Sequence, residues 1–351
     1  MGKSFFDFFP VPKFLDMPSV GLSLTDDSLS FIDFGLKQGV MTLARHDFQK
    51  MPPGAIESGV VKRADDVIKV LSDFKRKHDL RFIRATLPEE KAFLFRTAIP
   101  NIPDNEIREA LQFKIEENVP ISATDAVFDF YTVSDGDKNK NVVVTVLPKI
   151  VVSEYLEVFD KSGLVPLFLE IESQAIARAA IKAGDKGTFL IINVEESKTG
   201  LYIVSQNLVQ FTSSLAFGKS FFDSLSQEGG DDKSPLGNSG ETKVYTLKSD
   251  KEAILREEID KIMAYWETLD HESEGLRREI QKIVACGEEV TSNNFQEYFH
   301  SNLSRAVEPA NVWVNAFSFD DYIPSLTFEE SLKYAAPVGL ALTGISRKSR
   351  I

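Results

Sequence analysis

Apolar residues recur along this chain with two periods, one suited to strands and one to helices. Residues 189–194 form an apolar run broken only by Asn193, the pattern of a strand buried on both faces. A polar turn at 195–198 follows, then a strand at 199–204, a second turn, and a strand at 209–215. A weaker copy lies near the start: 20–24, the turn Thr25-Asp26-Asp27-Ser28, then 29–34. Two strand–turn–strand units of one design predict a duplicated core, with a cleft between the two turns.

Other segments read in the same way. Val67, Val70, Leu71 and Phe74 have helical spacing behind Asp65 and Asp66, which stand where caps belong. Residues 81–87 and 92–99 are strand-like. Pro103 and Asp104 open an amphipathic helix with Ile107, Leu111 and Ile115 four apart, and Pro120 stops it. Strands at 126–133 and 141–147 precede a helix carrying Val152, Tyr155, Leu156 and Phe159, which ends at Ser162 and Gly163. The order β-β-α-β-β-α over 81–163 predicts an inserted α+β module.

Beyond it, 164–171 is a strand and 173–183 an Ala-rich helix ending at Gly184. Residues 226–249 are rich in Gly, Ser and Asp and read as a mobile loop. A long helix over 251–268 carries Leu255, Ile259, Ile262, Met263 and Trp266 on one stripe. Residues 280–286 form a strand ending at Gly287, Phe295 to Leu303 a short helix, and 312–317 an extended run. A helix over 328–343 has small residues at Ala335, Ala336, Gly339 and Ala341. The basic end, Arg347 to Arg350, reads as a solvated tail.

Composition narrows the function classes. A chain of 351 residues, 43% hydrophobic and 26% charged, is a folded protein of more than one lobe. Its net charge of -13 argues against nonspecific binding of nucleic acid, itself a polyanion. Cys286 is the single cysteine, which excludes an intrachain disulfide and fits a reducing compartment, the cytoplasm. No apolar run approaches the roughly 20 residues of a membrane helix. The N-terminal stretch with Phe5, Phe6, Phe8 and Phe9 lacks the form of a signal peptide. It can touch a membrane surface or pack on the protein as a hydrophobic strap, the preferred reading.

Catalytic motifs are weak. Gly218-Lys219-Ser220 resembles the end of a phosphate-binding loop, but Ser213 stands where that loop needs glycine. His46, His78, His271 and His300 are scattered, and one cysteine cannot make a zinc site. The turns 25–28 and 195–199 could cradle phosphates on backbone N–H groups. Asp26, Asp27, Glu195 and Glu196 would then set four negative charges against the phosphates unless a divalent ion intervened. Acidic solvated turns explain the same residues as well as a working site does.

The hairpin–module–hairpin order resembles the actin-like superfamily in its FtsA-like form, and within it the PilM family of type IV pilus assembly. IPNIPDNEIREALQFKIEENVPISATDAVFDFYTV resembles the inserted module of that family, and VLPKIVVSEYLEVFDKSGLVPLFLEIESQAIARA the run that returns to the first half. IVACGEE is similar to the strand and adenosine loop, and VWVNAFSFDDYIPSLTFEESLKYAAPVGLALTG to the C-terminal segment. The resemblance implies an α/β, two-lobed actin-like fold with duplicated ribonuclease-H-like cores. Residues 14–80, with 164–186 and 328–345 returning, would form the first half and 81–163 the module. Residues 187–327 would form the second half, with the loop 226–249 and a helical subdomain at 251–280.

For function, the resemblance implies a cytoplasmic protein held at the inner face of the membrane by the N-terminal tail of PilN. It would contact other pilus platform or motor proteins and possess no transmembrane segment; self-association stays open. The resemblance makes ATP and magnesium possible ligands, but the expectation is that no cofactor binds. The positions matching the family's nucleotide loops are Ser23, Thr25, Asp26, Asp27 and Ser28, then Asn193, Glu195, Glu196, Ser197, Lys198 and Thr199, then Gly287 and Glu288. Ser23 and Asn193 replace the family's aspartates, Thr25 and Glu195 replace glycines, and Thr199 matches. Each lost charge-assisted contact costs roughly 1.5–3 kcal/mol. The expectation is a degenerate site with no catalysis. The rivals are an active ATP-binding protein and an FtsA-like filament former. The ending SRKSRI is too short and polar for the membrane helix of the latter.

Overall fold

The computed structural model describes residues 19–135, 139–224, 241–269, 279–288, 290–303 and 305–346. Two five-stranded mixed sheets carry them. In the first, β1 (Ser19–Leu24), β2 (Ser28–Lys37) and β3 (Val40–Lys50) run antiparallel. Beside them lie β6 (Phe82–Leu87) and β10 (Val165–Ile171), parallel to β1, in the order β10-β6-β1-β2-β3. The second sheet repeats the plan. Its strands β11 (Thr188–Val194), β12 (Thr199–Ser205) and β13 (Leu208–Leu215) are antiparallel, and β14 (Lys282–Gly287) and β15 (Val307–Pro309) are parallel to β11. The predicted duplication is therefore a duplication of sheet order. A two-stranded hairpin of β4 (Ile56–Glu57) and β5 (Val60–Val61) stands beside the first sheet's turn.

The inserted module is a three-stranded antiparallel sheet, order β7-β9-β8, from β7 (Phe93–Pro100), β8 (Ala126–Asp135) and β9 (Asn139–Pro148). Helix α2 (Asp104–Asn118) buries Ile107, Leu111 and Ile115 against Val142, Val144 and Val146. The span 81–163 expected for it holds elements of two bodies. β6 is hydrogen-bonded to β1, and α3 (Lys149–Lys161) buries Tyr155 and Phe159 in the core of the first sheet. Order along the chain does not say which sheet a strand joins.

Helix α1 (Ala64–His78) places Val67, Val70, Leu71 and Phe74 in that same core. Asp65 and Asp66 lie in its first turn, where the dipole favours them, and the cap is Arg63, which pairs with Asp66 at 3.1 Å. Helix α4 (Glu172–Ala180) lies against the C-terminal helix, and α5 (Lys219–Ser224) follows the second meander. Helix α6 (Glu241–Thr268) buries Leu255, Ile259, Ile262 and Trp266 as expected, but starts ten residues before 251. Residues 241–249 of the expected loop are thus helical, while 226–240 lie outside the described residues, as do the phenylalanine cluster, His271 and the basic tail.

Helix α7 is Asn293–Asn302; the expected helix 328–343 is two, α8 (Phe328–Leu332) and α9 (Ala335–Ser346). A capping box of Thr327 and Glu330 starts α8. The run 312–317 is not extended. It forms turns in which the Trp313 N–H donates to the Asn311 side chain at 3.1 Å, and Trp313 and Phe317 stack at 5.2 Å. Its apolar residues are buried by turning, which periodicity over six residues cannot distinguish from a strand.

Candidate functional site

The two turns meet. Asp27, in the β1–β2 turn, accepts hydrogen bonds from the Ser197 N–H at 2.9 Å and the Ser197 hydroxyl at 2.6 Å, in the β11–β12 turn. Beside them Lys50 pairs with Glu196 at 3.0 Å. Asp26 turns back into its own lobe and accepts from the N–H groups of Ser58 and Gly59. Burial, with Glu90 nearby, raises its pKa.

All thirteen sequence-predicted positions collect here. Ser23, Thr25, Asp27, Ser28, Asn193, Glu195, Glu196, Gly287 and Glu288 line a crevice of about 30 Å³ that α9 closes with Ala335 and Ala336. On the other side of the turns a cleft of about 900 Å³ takes in Asp26, Ser197 and Lys198. Thr199 is fully buried and donates its hydroxyl to the Phe217 carbonyl at 2.8 Å. Thr25 shares its hydroxyl with Ser28 at 3.2 Å, and Cys286 donates to Asn193 at 3.4 Å. Gly287 is required: its φ is 101°, and a Cβ there would meet the Val194 carbonyl oxygen at 1.9 Å.

At the centre is Lys198, a buried ammonium 2.8 Å from Glu90, 3.0 Å from Glu172 and 3.2 Å from Glu195. Burial works to lower its pKa, but Glu172, Glu195 and Glu90 outweigh burial and hold it well above the usual range. Burial and Glu172 push Glu195 well up. Glu89, beside them, is raised to about 7 by burial. One of its oxygens accepts from the Ser173 N–H at 3.0 Å and the other has no hydrogen-bond partner. Among the described residues, no group of three or more His, Cys, Asp or Glu could hold a metal ion.

Sequence reasoning missed Glu89, Glu90, Glu172 and Lys50, because nothing in their local pattern points at a turn so far along the chain. It also missed the side chains of a second feature. Behind the turns an apolar groove of about 120 Å³ runs between the module and the first sheet. Val127, Phe128 and Tyr131 of β8 form one wall, and Phe168, Leu169 and Ile171 of β10 the other. β8 and β10 are edge strands of their sheets. Gln174 closes the groove's end.

A model of the family described as type IV pilus assembly protein PilM matches residues 21–345. This chain belongs to the PilM family. Among solved structures it is similar to the PilM-PilN type IV pilus biogenesis complex, at 18% identity over 94% of this chain and 99% of that one, with a TM-score of 0.74. That likeness shows the actin-like fold. It is also similar to the ethanolamine utilization protein EutJ from Carboxydothermus hydrogenoformans (13% identity, 93% and 91% covered, TM-score 0.47). MreB5 of Spiroplasma citri bound to ADP is similar at 12% identity, 95% and 98% covered, TM-score 0.47. No curated protein matches. Among the described residues of this PilM-family chain, no helix is long and apolar enough to cross a membrane.

Proposed function

We propose that this PilM-family chain is a scaffold at the cytoplasmic face of the inner membrane in a type IV pilus machine. It takes the N-terminal cytoplasmic tail of a PilN-like membrane protein into the groove between β8 and β10, and so links the membrane platform to the motor. One observation carries this reading: the groove is apolar and bounded by two edge strands, which suits an extended peptide added by main-chain hydrogen bonds with side chains in pockets. Val127 and Tyr131 keep 41% and 38% of their surface exposed there, ready to be covered. A tail peptide of the PilN-like partner, titrated against the chain, is expected to bind saturably, and Tyr131→Ala to weaken binding about tenfold. Failure to bind at high micromolar concentration would sink the proposal.

The nucleotide crevice we read as degenerate and without catalysis. A triphosphate at the turns would meet the carboxylates of Asp27 and Glu196. Two like charges 4 Å apart repel by about 4 kcal/mol at an effective dielectric of 20. The hydroxyls of Thr25 and Thr199 are engaged within the chain, and the Lys198 ammonium neutralises the carboxylates a cation would need. These contacts support the reading that the turns take no magnesium triphosphate. Calorimetry with MgATP is expected to show no saturable heat. Micromolar binding that Thr199→Glu abolishes would overturn this.

A further inference from the structure

The peptide groove has an end wall that its own lobe does not fix. β10 runs into α4 with no connecting loop, Ile171 ending the strand and Glu172 beginning the helix. Across this join, neighbouring side chains are tied to different parts of the molecule. Glu170 forms a two-pronged pair with Arg178 at 2.5 and 2.7 Å, and Arg178 also donates to the Gly339 carbonyl of α9 at 3.0 Å. Glu172 accepts from Lys198, in the second lobe, at 3.0 Å. Gln174 lines the groove, yet both ends of its amide are held by the second lobe. Its Nε2 donates to the Asn207 carbonyl at 3.2 Å, and its Oε1 accepts from the Val209 N–H at 3.2 Å.

The turn that holds Gln174 is itself anchored. Asn207 has a φ of 62°, in the left-handed region, and its side chain accepts from the Gly184 N–H at 2.9 Å and donates to the Lys182 carbonyl at 3.1 Å. Gln174 is 9% exposed, so its rotamer is set by these partners and not by solvent.

We infer that the second lobe preorganises the peptide groove by gripping Gln174, which makes Gln174 a positioning residue and Asn207 its anchor. The inference rests on the proposed reading of the groove as a peptide site. A flexible glutamine would have to be ordered each time a peptide arrived, and a gripped one is ordered already, which favours binding. By linkage, a peptide seated against Gln174 strengthens the grip to the same degree.

Two variants test this. Gln174→Leu keeps the volume of the wall and makes it more apolar but deletes both bonds. Asn207→Gly keeps the backbone carbonyl that Gln174 meets, accepts the left-handed φ, and deletes both anchoring side-chain bonds. Each is expected to bind a synthetic PilN-like tail peptide about 5- to 20-fold more weakly, within the usual span of coupling between sites. Without peptide, each is expected to raise amide hydrogen exchange along Val165–Ile171 and Ala126–Asp135. Tighter binding by Gln174→Leu, as for a plain apolar wall, would overturn the inference. So would unchanged affinity and exchange in Asn207→Gly. If the wild type binds no peptide, the proposed function falls, and exchange alone decides: raised exchange upholds the positioning role and unchanged exchange ends it. Should Gln174→Leu fail to fold, Asn207→Gly decides by the same readings.

Discussion

Removing the ammonium of Lys198 leaves Glu90, Glu172 and Glu195 facing one another with the cation gone. Breaking a buried ion pair from one side costs about 3–5 kcal/mol, since the remaining charges stay out of water. Lys198→Met is therefore expected to lose about that much in urea denaturation at neutral pH. Glu89 gives a sharper pH dependence. Its pKa rises from an ordinary 4.5 to about 7 on folding, chiefly because burial disfavours the charge. Between these values the folded state binds more protons than the unfolded state, so stability falls as pH rises through that window. Glu89→Gln mimics the protonated form. It is expected to be more stable than the wild type at pH 8, by about 3 kcal/mol at most, and equal to it below the ordinary carboxylate pKa. Denaturation at several pH values checks this.

The stripe of small residues on α9 has a steric cause. A Cβ on Gly339 would lie 1.8 Å from the Ala175 carbonyl oxygen, and one on Gly21 in β1 would lie 2.0 Å from that of Pro337. α9 thus rests directly on both β1 and α4, backbone against backbone. Gly339→Ala must push the helix off α4, and a loss of about 1–3 kcal/mol is expected, read as a lower midpoint in calorimetry. The Ala and Gly spacing was visible in the sequence, but its partners were not. β3 shows the converse. Only Leu43 of its eleven residues is buried, because it is the edge strand, so no apolar run marked it. Burial on both faces made β11 and β12 plain for the opposite reason.

Over the whole molecule, the module is held from both lobes. Leu94 packs on the cores of both sheets, and the Arg96 guanidinium lies 5.8 Å from the Trp266 ring centroid of α6. A cation over an aromatic face contributes about 0.5–2 kcal/mol. Arg96→Ala is expected to lose about 1 kcal/mol and to red-shift tryptophan emission as water reaches Trp266. Unchanged emission would mean that Arg96 does not seal this contact. The hairpin turns close the lobes in the same way, through Asp27 with Ser197 and Lys50 with Glu196.

Local order was written in the chain. Period-two and period-3.6 patterns, prolines and Gly163 set the strands, the helix of the module and the repeated hairpins, because each depends on residues a few positions apart. Each hairpin turn was legible for the same reason, being a local feature, but the meeting of the two turns was not. Only the tertiary structure decided that β6 joins the first sheet, that Lys198 meets Glu90 and Glu172, and that a groove opens behind the turns. Lys50 and Glu196 are 146 positions apart, and Asp27 and Ser197 are 170. Pairing across such distances leaves no periodic trace, because it is created when separate layers pack.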